Sequence, residues 1–198
     1  MHPNPAFRGT PDADAMAFAL SRGFGTLTVN GGEAPLLAHV PFCDAAGALE
    51  FHLVRSNPVL RALPARAVLA VTGPDGYVSP DWYGMADQVP TWNYVAVHVE
   101  GRAEALPAAA LREHLDRLSA AFESRLDKAP WTAAKMTPEV LERMMRAIVP
   151  VRLTVEAVRS TFKLNQNKAP EARRAAADRI AGGVGSELDA LAAMMRDG

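Results

Sequence analysis

Between residues 51 and 58 the sequence reads Phe51-His52-Leu53-Val54-Arg55-Ser56-Asn57-Pro58, a strand pattern that runs straight into a helix start. Asn57 suits the N-cap and Pro58 the first helical position, so the free N–H groups of that turn lie beside a hydroxyl and a guanidinium. This is the chemistry of an anion site: backbone donors, a helix dipole, and an arginine able to bond a phosphate with two parallel N–H groups. An ordinary capped helix with Arg55 in solvent is the competing reading.

A second constellation joins Tyr77-Val78-Ser79-Pro80-Asp81-Trp82-Tyr83 to Val89-Pro90-Thr91-Trp92-Asn93-Tyr94. Rigid aromatic faces beside polar tips can stack on a flat heterocycle, and they can equally fill a subunit interface or plug a core. Three histidines, His39, His52 and His98, fall on strand patterns, but no carboxylate or cysteine completes a metal shell, so strand histidines are expected and no metal. Lys163, Lys168, Arg173 and Arg174 form a basic cluster that reads as a solvated face. No G-x-S-x-G, P-loop or G-x-G-x-x-G pattern is present, and no carboxylate pair or nucleophile-base pair stands out, so no catalytic residue is assigned.

The elements that must carry these residues can be read from periodicity. Thr10-Pro11 with Asp12 and Asp14 marks a helix start, and Gly23 its end. Residues 24–51 carry three strand-like runs broken at Asn30-Gly31-Gly32 and Asp44-Ala45-Ala46-Gly47, which predict antiparallel hairpins. Residues 68–72 and 77–79 read as two further strands around a Gly73-Pro74-Asp75-Gly76 turn. Residues 94–106 alternate, with Val95, Val97 and Val99 on one face. Leu111, Leu115, Leu118 and Phe122 then make a helical stripe, and Thr137-Pro138 caps a second helix. Alternation returns over 149–158, and an alanine-rich tail over 170–196, interrupted at Gly182-Gly183, reads as a helical hairpin. The fold class is therefore mainly β with helices (α+β), about six to seven antiparallel strands with peripheral and C-terminal helices. Residues 1–198 are expected to form a single domain with a helical extension from about 169 to 198.

Composition sets limits on function. With 49% apolar and 22% charged residues the chain is of globular type, and a net charge of -1 demands neither nucleic acid nor an anionic membrane. Cys43 is the only cysteine, which suits a reducing compartment. No leader pattern and no long apolar run occurs, so a cytoplasmic protein without membrane insertion is expected.

Taken in order, the runs around His52 to Pro58, Tyr77 to Tyr83, Val89 to Arg102 and Phe162-Lys163-Leu164-Asn165-Gln166-Asn167 resemble the motifs of the PaiB-like negative transcriptional regulators, a branch of the FMN-binding split-barrel proteins. The resemblance extends from the N-terminal helix almost to the end of the chain. It implies a split barrel like that of pyridoxamine-phosphate oxidases and flavin reductases, a homodimer, and FMN held in clefts at the subunit interface. Carried onto this sequence, the cofactor-binding residues are His39, Val40 and Pro41 on a strand whose backbone lines the flavin, and His52, Arg55, Ser56 and Asn57 at the phosphate turn. Trp82, Tyr83, Trp92 and Asn93 would help to form the cleft. Asp81 and Asn165 stand where small hydroxyl residues are expected, and Val54 where alanine is.

The family name implies a regulatory role, acting on DNA or through a regulatory protein partner, although no helix-turn-helix with a basic recognition helix is visible. The alternatives are an FMN-dependent oxidoreductase and a haem-binding or haem-degrading split-barrel protein with His98 as an axial ligand.

Overall fold

The computed structural model describes residues 1–197; Gly198, the last residue of the expected extension, lies outside the described residues. Helix α1 (Asp12–Arg22) follows Pro11 with Asp12 and Asp14 in its first turn, where acids meet the positive end of the dipole. The chain then enters β1 (Phe24–Val29), β2 (Leu36–Pro41), β3 (Cys43–Ala45) and β4 (Ala48–Val54). Ala46 and Gly47, both at positive φ, close the two-residue hairpin between β3 and β4, the primed-turn geometry that matches strand twist. A one-turn helix α2 (Val59–Ala62) leads into the long strands β5 (Ala65–Val78) and β6 (Thr91–Ala105). Helices α3 (Leu111–Glu123) and α4 (Pro138–Met145) precede β7 (Ile148–Lys163). The chain ends in α5 (Pro170–Ile180), the short β8 (Gly185–Ser186) and α6 (Leu188–Asp197).

The strands form one sheet in the order β2-β1-β5-β6-β7-β4-β3, with β8 on β5. The β1–β2, β1–β5, β3–β4, β4–β7 and β5–β8 pairings are antiparallel. The expectation of a mainly antiparallel sheet decorated by helices is met.

The residues group into two compact units. The larger holds 17–70 and 98–158, and the smaller holds 1–16, 71–97 and the chain from Arg159 on. The core of the larger unit is built by the inward-facing members of the strand alternation, Leu27, Val29, Leu49, Phe51, Leu69, Val99, Val151 and Leu153, with Leu111 and Leu118 of α3. In the smaller unit, Ala172, Ala176, Ala177 and Ile180 of α5 are buried, as are Leu191, Ala192 and Met195 of α6, with Val78 and Tyr83.

Two local expectations are corrected. Gly73-Pro74-Asp75-Gly76 is no turn: β5 runs through it, because Asp75 and Gly76 pair with Ser186 and Gly185 of β8. A Cβ at Gly76 would lie 2.9 to 3.2 Å from Leu188, Leu191 and Ile180, so the glycine is required by the closeness of the helices. The stripe of α3 is also rotated. His114, not Leu115, lies between Leu111 and Leu118 and is wholly buried.

Candidate functional site

In the larger unit the polar residues of β4, α3 and β7 form a connected network. Glu50 is 1% exposed although it stands on a strand among apolar neighbours. Arg152 of β7, which pairs with Glu50 in register, donates Nε and Nη2 to Oε1 at 3.0 and 2.7 Å, and Arg117 of α3 donates Nη2 to Oε2. Burial pushes the Glu50 carboxyl up, but the bonds from Arg152 and Arg117 outweigh it and hold its pKa below the ordinary carboxylate value. His114 Nδ1 lies 3.7 Å from Glu50 Oε2, beyond hydrogen-bond range, and the other ring nitrogen meets His52 Nδ1 at 3.1 Å. Burial first, and then the neighbouring His52, bring the His114 pKa down to about 4.

Next along β4 comes the turn expected to hold a phosphate. The helix starts one residue later than expected, with Pro58 rather than Asn57 at its N-cap, and Asn57 Oδ1 accepts from Val59 N at 2.9 Å just ahead of it. This helix is four residues long, so the dipole behind the turn is small. Arg55 is exposed and bends back onto the link between α4 and β7, donating Nε to the Arg146 carbonyl at 2.9 Å and Nη2 to that of Ile148 at 3.3 Å. Its backbone N–H bonds the Ala147 carbonyl at 2.8 Å. Ser56 is exposed and has no partner among the described residues. Arg55 also borders a largely apolar cavity of about 350 Å3, lined by Leu106, Leu111, Met145 and Ile148 among others.

On β2, strand alternation buries Val40, leaves Pro41 half-buried and turns His39 outward. The His39 ring lies nearly parallel to Phe24 of β1, 20° between planes and 6.4 Å between centroids, and its Nδ1 is 3.0 Å from Thr26 Oγ1. Phe24 is 56% exposed, so this pair presents a flat aromatic surface to its surroundings.

The aromatic segments belong to the smaller unit. Tyr83 is buried in a 3-10 turn, Pro80–Tyr83, that packs on α5, and its hydroxyl donates to Asn165 Oδ1 at 3.2 Å. Trp82 is half-buried, with Gly183 close to its ring. Trp92 is 41% exposed, meets Tyr77 edge to face, and donates Nε1 to Asp75 Oδ1 at 3.0 Å. Asn93 is fully buried and faces Met195 Sδ.

The structure thus brings His39, Val40, Pro41, His52, Arg55, Ser56 and Asn57 into one unit and Trp82, Tyr83, Trp92 and Asn93 into the other. His39 and His52 have separate partners, Thr26 and His114. Among the described residues no three metal-ligating side chains gather to hold an ion. Sequence reasoning missed Glu50, Arg117, Arg152 and His114. The 111-114-118 spacing of α3 was a signal available for His114, and for Glu50 there was only a carboxylate inside a strand. It also misread Lys163 and Lys168 as solvated; both are half-buried in the smaller unit.

Comparison with known proteins gives the family and the fold. Residues 1–157 match the family model described as "Putative FMN-binding domain". Protease synthase and sporulation protein PAI 2 of Bacillus subtilis (strain 168) is 30% identical over 168 residues, covering 82% of this chain and 80% of its own. Among solved structures, a conserved hypothetical protein from Mycobacterium tuberculosis superposes with a TM-score of 0.58 at 20% identity, covering 83% of this chain and 92% of its own. The FAD and haem binding protein from Mycobacterium smegmatis gives 0.56 at 19%, covering 89% and 80%. The fold is that of the flavin-binding split-barrel proteins. This chain belongs to the FMN-binding domain family and, within it, to the PaiB-like proteins.

The cofactor of this family is FMN, and the residues present fit it. The exposed Phe24–His39 surface suits a flat isoalloxazine, and the free Ser56 hydroxyl beside Arg55 suits a phosphate.

Proposed function

We propose that this chain acts in the cytoplasm as an FMN-loaded homodimer that lowers expression of its target genes according to flavin supply or flavin redox state. The observation that carries the reading is the family match over residues 1–157. Bound flavin supplies one- and two-electron redox chemistry. In this reading residues 1–198 are one domain with a helical extension from about 169. His39, Val40 and Pro41 line the ring, His52 backs the site, and Arg55, Ser56 and Asn57 take the phosphate. Trp82, Tyr83, Trp92 and Asn93 help to form the cleft, with buried Tyr83 and Asn93 supporting from behind a dimer surface at which exposed Trp92, Val89 and Met85 lose contact with water. A net charge of -1 favours a regulatory protein partner over direct DNA binding. Among the described residues no helix is long and apolar enough to cross a membrane.

The test is to titrate the purified chain with FMN and riboflavin by flavin fluorescence while measuring its mass. Expected are a mass near twice 21.2 kDa and saturable FMN binding with preference over riboflavin. Arg55→Ala should weaken FMN by about 1.5 to 3 kcal/mol, the range of a charge-assisted hydrogen bond. A strict monomer, or no flavin binding, would overturn the reading. Turnover of a reduced nicotinamide by the loaded dimer would make it an oxidoreductase instead.

A further inference from the structure

The smaller unit contains a second, chemically different cavity, of about 270 Å3, whose lining includes Phe7, Tyr83, Thr91, Lys163, Asn165 and Lys168. No carboxylate is among its lining residues, yet two ammonium groups border it. Lys163 donates to the Thr91 hydroxyl and stands 5.8 Å from the Phe7 ring centroid. Lys168 donates to Gln88 Oε1 at 2.6 Å and stands 5.1 Å from the Tyr83 ring centroid. Both cations are therefore held by neutral oxygens and aromatic faces, with no ion-pair partner among the described residues. Partial burial without a countercharge lowers the pKa of Lys163, which marks its ammonium as short of compensation.

Asn165 supplies an independent observation. It is 2% exposed, its Oδ1 is occupied by the Tyr83 hydroxyl, and its Nδ2 has no hydrogen-bond partner among the described residues. A buried amide donor left unbonded has given up its water without replacement and is destabilising. Asn165 is also held at φ 63, in the left-handed region that non-glycine residues seldom adopt, though asparagine tolerates it best. An orphaned donor, a strained backbone and two uncompensated ammonium groups around one cavity share one chemical explanation, an acceptor carrying negative charge.

We infer that the Lys163–Lys168–Asn165 cavity is an oxyanion-binding site, taking the phosphate or carboxylate group of a small ligand. A phosphate oxygen there would accept from both lysines and from the asparagine amide. These are charge-assisted bonds in a setting drier than the surface, where they are strong. The inference does not rest on the flavin reading, because none of these residues belongs to the turn at Arg55.

The test is calorimetric titration of the full chain with inorganic phosphate, compared with the double variant Lys163→Met, Lys168→Met. Methionine keeps most of the stem that packs on Phe7 and Tyr83 while removing the charge. Saturable phosphate binding, weakened tenfold or more in the double variant, is expected. A thermal melt of both proteins shows whether the variant is folded. If it is not, Asn165→Gly, which removes the amide at a backbone position glycine accepts, should weaken phosphate severalfold instead. No saturable binding to the native chain, or equal affinity in a folded variant, would overturn the inference. Repeating the titration on FMN-saturated protein separates the two sources of the anion. Unchanged phosphate affinity means a separate small ligand, and lost affinity means that the phosphate of FMN itself occupies the cavity. Phosphate binding by protein that binds no flavin would sink the proposed function and leave this site standing.

Discussion

His52 Nδ1 of β4 lies 3.1 Å from His114 Nε2 of α3, so two imidazoles, both with pKa values lowered by burial, tie the helix to the sheet. Well above pH 6.5 both rings are neutral in folded and unfolded chain alike, and the contact contributes in full. Between about 6.5 and about 4 the unfolded chain takes up a proton at His114 that the folded chain refuses, so stability falls with pH across that window. The loss attributable to His114 approaches about 3 kcal/mol at its lower end. Urea midpoints measured from pH 7 to pH 4.5 should fall. His114→Gln, with nothing to protonate there, should flatten the slope; an identical slope in that variant would refute the assignment.

Glu50 is the hinge of the network around that pair. Removing its charge leaves Arg117 and Arg152 facing a buried amide, but their side chains are 33% and 42% exposed and can turn partly into water. Glu50→Gln is therefore expected to destabilise by about 1–3 kcal/mol, less than the full penalty of a fully buried broken pair. Denaturant unfolding at pH 7 measures this, and no change in midpoint would mean that the carboxylate adds nothing net.

Tyr83→Phe removes the hydroxyl that donates to Asn165 Oδ1 while keeping the buried ring. The expected cost is about 1 kcal/mol, since the amide then has neither of its polar atoms bonded. The same variant should leave the His52–His114 pair untouched. A thermal melt of Tyr83→Phe alongside the native chain checks the first point, and histidine chemical shifts check the second.

Gly76→Ala places a methyl group 2.9 Å from Leu188 Cδ2 and 3.0 Å from Leu191 Cδ2. Overpacking of this kind costs about 1–3 kcal/mol, and it should loosen α5 and α6 before the rest of the chain. Hydrogen exchange that speeds up over 170–197 and stays unchanged over 24–54 is the expected pattern. Uniform acceleration would mean that the two regions open together.

Much of the fold was legible. The helix α3 itself, the proline-marked starts of α1 and α4, and the alternation of Val95, Val97 and Val99 each reflect local geometry, so these elements stand where periodicity puts them. The Gly73-Pro74-Asp75-Gly76 turn failed because turn chemistry is a local preference, and the pairing with β8 under two helices outweighs it. Reading α3 through Leu115 failed by one position. An apolar stripe gave no weight to a histidine, although the bond to His52 makes burial of that ring tolerable.

At the candidate site the sequence by itself determined the inventory and the family: an arginine, a hydroxyl and an asparagine at a strand-to-helix turn, and aromatic segments in a recognisable order. It also determined the elements that carry them, because helix and strand periods are written in neighbouring residues. Only the tertiary structure decided which donors stay free. The partners of Arg55 lie 91 and 93 positions away, that of Tyr83 lies 82 away, and the pairing of His52 spans 62. Whether Lys163 and Lys168 face water or close a cavity depends on Phe7, Tyr83 and Gln88, which the chain brings to them from far along its length. A side chain's type sets what bonds it can make, and only the packing of distant segments sets which of them are already made.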